Sequence, residues 1–138
     1  MQFLDTLLQL LADKGSDLYL SVGSPPMMKI QGRMTSIGDS RLKPTIILEV
    51  AREILGQEGL LDFQHGKSVN FAHSVHGVGR FRVNGFFQRN EIGFVIRAIR
   101  SRIPTLTELH LPPVIGRLAL EKHGLILFVG GTEKWSIA

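Results

Sequence analysis

The period of the apolar residues changes between residues 55 and 69, and this change limits the folds that the chain can adopt. Over residues 44–55 the apolar side chains recur every three or four positions, which is typical of an amphipathic helix. Over residues 69–97 apolar and polar side chains alternate, which is typical of strands with one buried face. Fifteen glycines in 138 residues also favour many short elements joined by turns. The sequence therefore predicts an α+β fold rather than a helical bundle.

Helical periodicity occurs in four segments. These predict three helices and one helical turn, over residues 2–14, 44–55, 60–63 and 114–122. Lys14 and Gly15 are interpreted as a basic last turn and an αL cap of the first helix. Gly56 is predicted to end the second helix, and Gly124 follows the last one.

Alternation predicts a mainly antiparallel sheet. The predicted strands cover residues 17–22, 28–30, 34–37, 69–75, 80–88 and 93–97. The strands at 28–30 and 34–37 are short and expected at the periphery. The later run Leu125–Val129 is apolar throughout, which is typical of a buried parallel strand. Because a parallel strand needs neighbours, this run looks like the opening of another domain.

Three arginines are the main candidate for a binding site. If Phe81 and Val83 face the core, alternation places Arg80 and Arg82 on the opposite face, with Arg97 from the next strand beside them. Guanidinium groups on a rigid sheet can bind phosphate through paired hydrogen bonds. A solvated sheet face is the alternative, because surface charge on a strand is ordinary.

Composition argues against a catalytic or metal centre in this chain. It has no cysteine, which excludes disulfides, Cys-ligated metals and thiol catalysis. The five histidines show no ligand-like spacing, and no Gly-x-Ser-x-Gly nucleophile elbow occurs. We therefore predict no catalytic residue and no metal site. Met27 and Met28 could form a contact surface, but adaptable packing is the preferred interpretation.

Membrane and nucleic-acid classes are also disfavoured. The segment 1–11 is apolar on a helical period but has no basic n-region, so it is interpreted as a folded helix rather than a signal peptide or a membrane span. Sixteen Lys and Arg against 12 Asp and Glu give a formal charge of +4, too modest to imply a nucleic-acid partner. The alternation around Arg80 also lacks the glycine of an RNA-binding RNP1 strand, since Phe81 follows it.

Several segments resemble, in order and spacing, the amino-terminal domain of type IV pilus retraction ATPases, the PilT/PilU-type twitching motility proteins of the type II/IV secretion ATPase family. They lie at residues 15–18, 22–27, 32–33, 79–84, 87–89, 97, 103–106, 108–109, 111–113 and 118–122. The pair Asn70-Phe71, residues 88–90 and the run 125–129 are more similar to the PilU-type than to the PilT-type paralogue.

The resemblance implies a PAS-like domain over residues 1–99 with helices flanking its sheet. A linker over 100–113 and the start of a truncated RecA-like ATPase domain over 114–132 would follow. It also implies a homohexameric ring on the cytoplasmic side of the inner membrane at the pilus base. The partners would be the chain's own ATPase domain, neighbouring subunits and pilus base proteins, and the intact parent would use ATP and Mg. A free-standing PAS-like sensory or protein-interaction domain is the alternative.

The resemblance further implies a nucleotide-binding set. Its expected members are Arg80, Arg82, Arg97, Gly130, Gly131, Thr132 and Lys134. In the family a Walker A loop, Gly-x-x-x-x-Gly-Lys, follows the strand that corresponds to residues 125–129. Here Lys134 follows Gly130 after only four positions, and the sequence departs from the family at Glu133. Residues 133–138 are interpreted as a tail foreign to the family. This chain alone is therefore expected to have no ATPase activity and to need no cofactor.

Overall fold

The computed structural model describes residues 2–66 and 68–130. The chain divides into two units, Met1–Ser101 and Arg102–Ala138. The first unit holds two helices and six strands, in the order α1 (Gln2–Lys14), β1 (Asp17–Ser21), β2 (Met27–Ile30), β3 (Arg33–Ser36), α2 (Pro44–Gln64), β4 (Val69–Val75), β5 (Gly79–Gln88) and β6 (Glu91–Ile99). These elements confirm the α+β prediction.

The six strands form one sheet in the order β3-β2-β1-β6-β5-β4, and every neighbouring pair is antiparallel. The two short strands β2 and β3 lie at one edge, as predicted, whereas β1 lies in the interior of the sheet between β2 and β6. The β2–β3 and β5–β6 connections are two-residue turns. Gln31 and Gly32, and likewise Arg89 and Asn90, have positive φ angles, which is the requirement of a tight type I′ hairpin turn.

One face of the sheet carries the hydrophobic core. Leucines of α1 and aliphatic side chains of α2 pack against this face in a single buried cluster. The strand residues that contribute to the cluster are Leu18, Leu20, Met28, Phe81, Val83, Phe94 and Ile96. Phe81 and Val83 lie in this core as alternation predicted, and the burial of Met28 confirms the packing interpretation for that methionine. Met27 is half-buried.

Two glycines have distinct roles in the helical part of the fold. Gly56 (φ 68°) interrupts α2, so the two helical segments predicted on either side of it are confirmed. The αL cap predicted at Gly15 is wrong, because this residue is not among the glycines with positive φ. Gly15 instead provides space, since a Cβ there would lie 2.7 Å from the sulfur of Met28. Position 15 therefore requires glycine because α1 and β2 approach each other closely there, and not because the backbone adopts an αL conformation.

In the second unit, the described residues 102–130 contain one short helix, α3 (Val114–Leu118). It ends four residues earlier than the predicted 114–122, and none of its residues is buried, so no packed apolar face extends it. Thr105 and Glu108 form a reciprocal pair before it: the Thr105 amide donates to Oε2 of Glu108 at 2.8 Å, and the Glu108 amide donates to Oγ1 of Thr105 at 3.2 Å. The hydrogen bonds from Thr105, followed by that from Arg102, lower the pKa of Glu108.

The buried strand predicted at residues 125–129 is wrong for this structure. Residues 124–130 form no strand, and their side chains are exposed. A strand needs a neighbouring strand to hydrogen-bond its backbone. The described residues of the second unit include no other strand, so this apolar run has none to pair with within its own unit.

Gly85 offers a test of the packing in the core. A Cβ at this position of β5 would lie 2.8 Å from Val69, 2.9 Å from Phe94 and 3.2 Å from Phe63. We expect Gly85→Ala to lower the free energy of unfolding by about 1–3 kcal/mol, because these rings and the sheet would have to shift. Urea unfolding measures the change. Ser74→Ala, on the exposed face of β4, is the control and should stay within about 0.5 kcal/mol; equal effects would contradict this packing.

Candidate functional site

The predicted arginine face is present on the side of the sheet opposite the helices. We give this name to Arg80, Arg82 and Arg97. Arg82 of β5 and Arg97 of β6 are direct register partners, so their side chains leave the same face. Arg80 shares that face because it precedes Arg82 by two positions on the same strand. All three residues are exposed, so the structure brings them together as the alternation predicted.

A buried carboxylate holds Arg97. Nε of Arg97 donates a hydrogen bond to Oδ1 of Asp17 at 2.7 Å. Asp17 is the first residue of β1 and the register partner of Arg97, and only 8% of its side chain is exposed, against 70% for Arg97. Oδ2 of Asp17 accepts a hydrogen bond from Oγ of Ser16 at 2.9 Å. The carboxylate is therefore satisfied on both oxygens while the far end of Arg97 remains in solvent.

Arg82 is anchored in the same way by a neutral partner. Its Nε donates to Oδ1 of Asn70 at 3.1 Å. Asn70 lies on β4, on the side of β5 away from β6, and it belongs to the same exposed face. Arg82 and Arg97 are thus each fixed by the strand that flanks them on the outside, Arg82 by β4 and Arg97 by β1.

The electrostatics of this face are unbalanced. Like charges directly opposite each other in a sheet oppose folding, and Arg82 and Arg97 occupy such positions. Asp17 compensates one of the two charges, and its hydrogen bond and negative charge raise the pKa of Arg97 above its already high usual value. With one carboxylate beside two arginines, the pair keeps an excess of positive charge.

The hydrogen-bonding capacity left over suits an anion. A guanidinium has five N–H donors in a planar fork, and only the Nε donor of Arg82 and of Arg97 is used within the described part of the chain. The two Nη groups of each side chain remain to bind a ligand. Paired N–H donors on a planar fork match the oxygens of phosphate or carboxylate.

Of the remaining residues of the predicted nucleotide-binding set, the structure describes only Gly130. Gly130 is exposed and lies outside any helix or strand. Gly131, Thr132 and Lys134 fall outside the described residues. Arg80, whose register partners are Ser74 and Ile99, makes no hydrogen bond or ion pair within residues 2–66 and 68–130.

Within 2–66 and 68–130, no three His, Asp or Glu side chains come together in a way that could hold a metal ion. No helix in the described part of the chain combines the length and the apolar character needed to cross a membrane.

Two residues of the site were missed by sequence reasoning. The sequence analysis placed Asp17 and Asn70 in predicted strands and in segments of the resemblance, and it gave neither residue a role at the site. An acidic residue at the first position of a strand that is otherwise apolar on one face is a weak signal. Nothing local links Asp17 to Arg97, which lies 80 residues away in the sequence.

Comparisons with known proteins show which chains this one is similar to. No protein-family model matches the chain. The type IV pilus ATPase PilU of Pseudomonas aeruginosa is 44% identical over 133 residues, which are 96% of this chain and 35% of PilU. The type IV pilus retraction ATPase PilT of the same organism is 35% identical over 117 residues, 85% of this chain and 34% of PilT. This chain is a homologue of the amino-terminal part of PilU and PilT. It spans about a third of the length of these curated relatives.

Solved structures support the same assignment. A crystal structure of the pilus retraction motor PilT with bound ADP matches with a TM-score of 0.65 and 28% identity, over 86% of this PilU and PilT homologue and 35% of the PilT chain. An X-ray structure of the ATPase DotB of Legionella pneumophila matches with a TM-score of 0.76 and 24% identity, over 89% of this chain and 36% of DotB. The DotB likeness shows the fold alone.

The anchoring of Arg97 changes what its removal should do to stability. From the sequence alone, replacing an exposed arginine on a strand is expected to change the free energy of unfolding by no more than about 0.5 kcal/mol. That value still holds for Arg82→Ala. For Arg97→Ala we expect a loss of about 1–3 kcal/mol in the free energy of unfolding, because a buried carboxylate would lose its charged partner.

Urea unfolding of the two variants in parallel measures this difference, with Arg82→Ala as the matched control. Equal stabilities would show that water replaces the guanidinium at Asp17 without cost.

Proposed function

We propose that this chain is the amino-terminal nucleotide-pocket and ring-assembly module of a type IV pilus retraction motor ATPase. The observation that carries the proposal is the pair Arg82 and Arg97, which lie directly across β5 and β6 with their Nη groups unused. The homology to PilU and PilT, both named as ATPases, supplies the nucleotide as the anion that the pair would meet.

The chemistry of the pair fits a phosphate of a nucleotide held in a cleft. A sheet positions its side chains more rigidly than a loop does, and two guanidinium forks side by side provide several donors to one oxyanion. In the intact motor the phosphates would be held mainly by the RecA-like ATPase domain, and the arginine face would close the pocket from the other side. Binding of ATP would then depend on how the two domains approach each other.

The wider assembly is part of the same proposal. Residues 1–99 would be the PAS-like domain, 100–113 the linker and 114–132 the start of the ATPase domain, with a foreign tail over 133–138. The motor would be a homohexamer on the cytoplasmic side of the inner membrane, in contact with pilus base proteins and without a nucleic-acid partner. ATP and Mg would serve the intact parent and not this chain alone. The higher identity to PilU than to PilT supports a PilU-type parent.

A free-standing sensory or protein-interaction domain is the weaker alternative. The relatives described above carry the name ATPase, and this chain covers about a third of each. A small domain that acts alone would be expected to match relatives of its own size. We therefore prefer the motor module.

We expect the isolated chain to hydrolyse no ATP. The sequence after Gly130 lacks the spacing of a Walker A loop. A steady-state phosphate-release assay with purified chain and Mg-ATP checks this. Turnover above a buffer blank that disappears on Lys134→Ala would contradict the expectation.

In the full-length motor, we expect Arg82→Ala and Arg97→Ala each to lower ATP turnover by about tenfold or more. The loss should stay below the ~10³-fold or more of an arginine that acts directly on the transferring phosphoryl group, since motors of this kind resemble secretion ATPases with further arginines in the ATPase domain. Steady-state ATPase assays on assembled motor measure the effect.

Arg33→Ala, at the exposed edge strand β3, is the matched control and should retain wild-type turnover. Arg82→Ala is the more decisive variant because Arg97→Ala also affects stability. Wild-type turnover in both Arg82→Ala and Arg97→Ala would contradict the proposal. It would favour the alternative that these arginines form a solvated sheet face.

A further inference from the structure

Arg82 and Arg97 share a mode of anchoring that leaves the same atoms free. Each uses only Nε within the described residues, and each donates away from the other, to Asn70 and Asp17 respectively. A guanidinium presents its N–H donors in pairs, either Nε with one Nη or the two Nη groups together. An arginine anchored through Nε keeps the pair formed by its two Nη groups, so this mode of anchoring suits a side chain that must be fixed and still bind a ligand.

Asp17 is itself firmly placed. It begins β1 in the interior of the sheet, with Lys29 and Arg97 as its register partners on either side. The Ser16 hydroxyl holds its second oxygen at 2.9 Å, and the backbone of Ser16 is fixed to both neighbouring strands: its amide donates to the Lys29 carbonyl at 2.9 Å, and its carbonyl accepts from the Ala98 amide at 3.2 Å. A carboxylate that is 8% exposed and satisfied on both oxygens has little freedom to move.

We propose that Asp17 is the positioning residue of the phosphate-binding pair: it orders the guanidinium of Arg97 so that both Nη groups face a phosphate, while Asn70 does the same for Arg82. This inference rests on the proposed function, because it assigns the ligand of the arginine face as a phosphate. Asp17 would not touch the ligand.

Positioning and simple charge make opposite predictions for Asp17. Removing a carboxylate makes the face more positive, so on charge alone a phosphate should bind more tightly. If Asp17 orders Arg97, its removal should weaken binding instead, because the ligand must then immobilise a long side chain that was fixed beforehand. The direction of the effect therefore distinguishes the two roles.

Asp17→Asn is the variant of choice. The amide keeps a carbonyl oxygen that can accept from Arg97, and the Ser16 hydroxyl can accept from its NH₂ group, so the buried position stays satisfied. Only the charge-assisted strength of the anchor is lost. Asp39→Asn, in the exposed loop before α2, changes the net charge equally and is the matched control.

The test is a pyrophosphate titration of the 138-residue chain, followed through the arginine Nε–Hε signals in NMR spectra. Wild type, Asp17→Asn, Arg97→Ala, the double variant and Asp39→Asn are compared. We expect Asp17→Asn to raise the dissociation constant about threefold to tenfold, the cost of ordering one long side chain. In the Arg97→Ala background the same change should have less than about a twofold effect, since an indirect role needs Arg97. Asp39→Asn should not weaken binding.

A second measurement tests, in the absence of ligand, whether Asp17 orders the side chain of Arg97. Relaxation of the Arg97 Nε–Hε group should show an ordered side chain in wild type and increased mobility in Asp17→Asn, with Arg82 unchanged. Tighter pyrophosphate binding by Asp17→Asn, an equal effect in the Arg97→Ala background, or unchanged mobility of Arg97 would overturn the proposal.

Failure of the proposed function would look different. If wild type gives no response to pyrophosphate, or if Arg82→Ala and Arg97→Ala bind it like wild type, the arginine face is not a phosphate site, and relaxation still reports whether Asp17 orders Arg97. If Arg97→Ala loses binding and Asp17→Asn does not, the phosphate site stands and the positioning role is wrong.

Discussion

The pairing register of β5 with β6 determines every other property of this surface. A shift of one residue in either strand would exchange its two faces, placing arginines against the helices and Phe81 and Ile96 in solvent. The burial of Phe81, Val83, Phe94 and Ile96 against α1 and α2 therefore fixes the register. Arg82 and Arg97 stand opposite each other as a consequence of core packing, not of any attraction between them.

This dependence explains why like charges can be tolerated at neighbouring positions. The apolar face supplies the stability that holds the strands together, and the cross-strand repulsion is a small term against it. Asp17 reduces that term further from a buried site on β1, and Asn70 holds Arg82 without adding charge. The result is a rigid face that retains unsatisfied positive charge, which is the condition for binding an anion strongly.

Much of this fold could be predicted because the apolar period is local information. The helices at 2–14 and 44–55 and all six strands follow from spacing alone, and so does the grouping of the arginines. Asp17 could not be identified, since its partner is distant in sequence and only the position of β1 beside β6 unites them. Leu42 is buried in a loop without periodicity, held by hydrogen bonds between its backbone and Gly23 and Ser24. The buried strand predicted at residues 125–129 was wrong because an apolar run shows only that its side chains favour burial. Forming a buried strand also requires neighbouring strands.

The same reasoning separates what this sheet can do from what a complete nucleotide site needs. A phosphate bound at an exposed sheet face is solvated on its open side, where water competes with each guanidinium donor and salt screens the charge. Covering the face with a second domain would lower the local dielectric and strengthen the same hydrogen bonds. The preordered Arg97 would then be most effective when the pocket closes, because the entropy of fixing its side chain has already been lost during folding. In the proposed motor, the ion pair between Asp17 and Arg97 would therefore serve both the stability of this fold and the binding of phosphate.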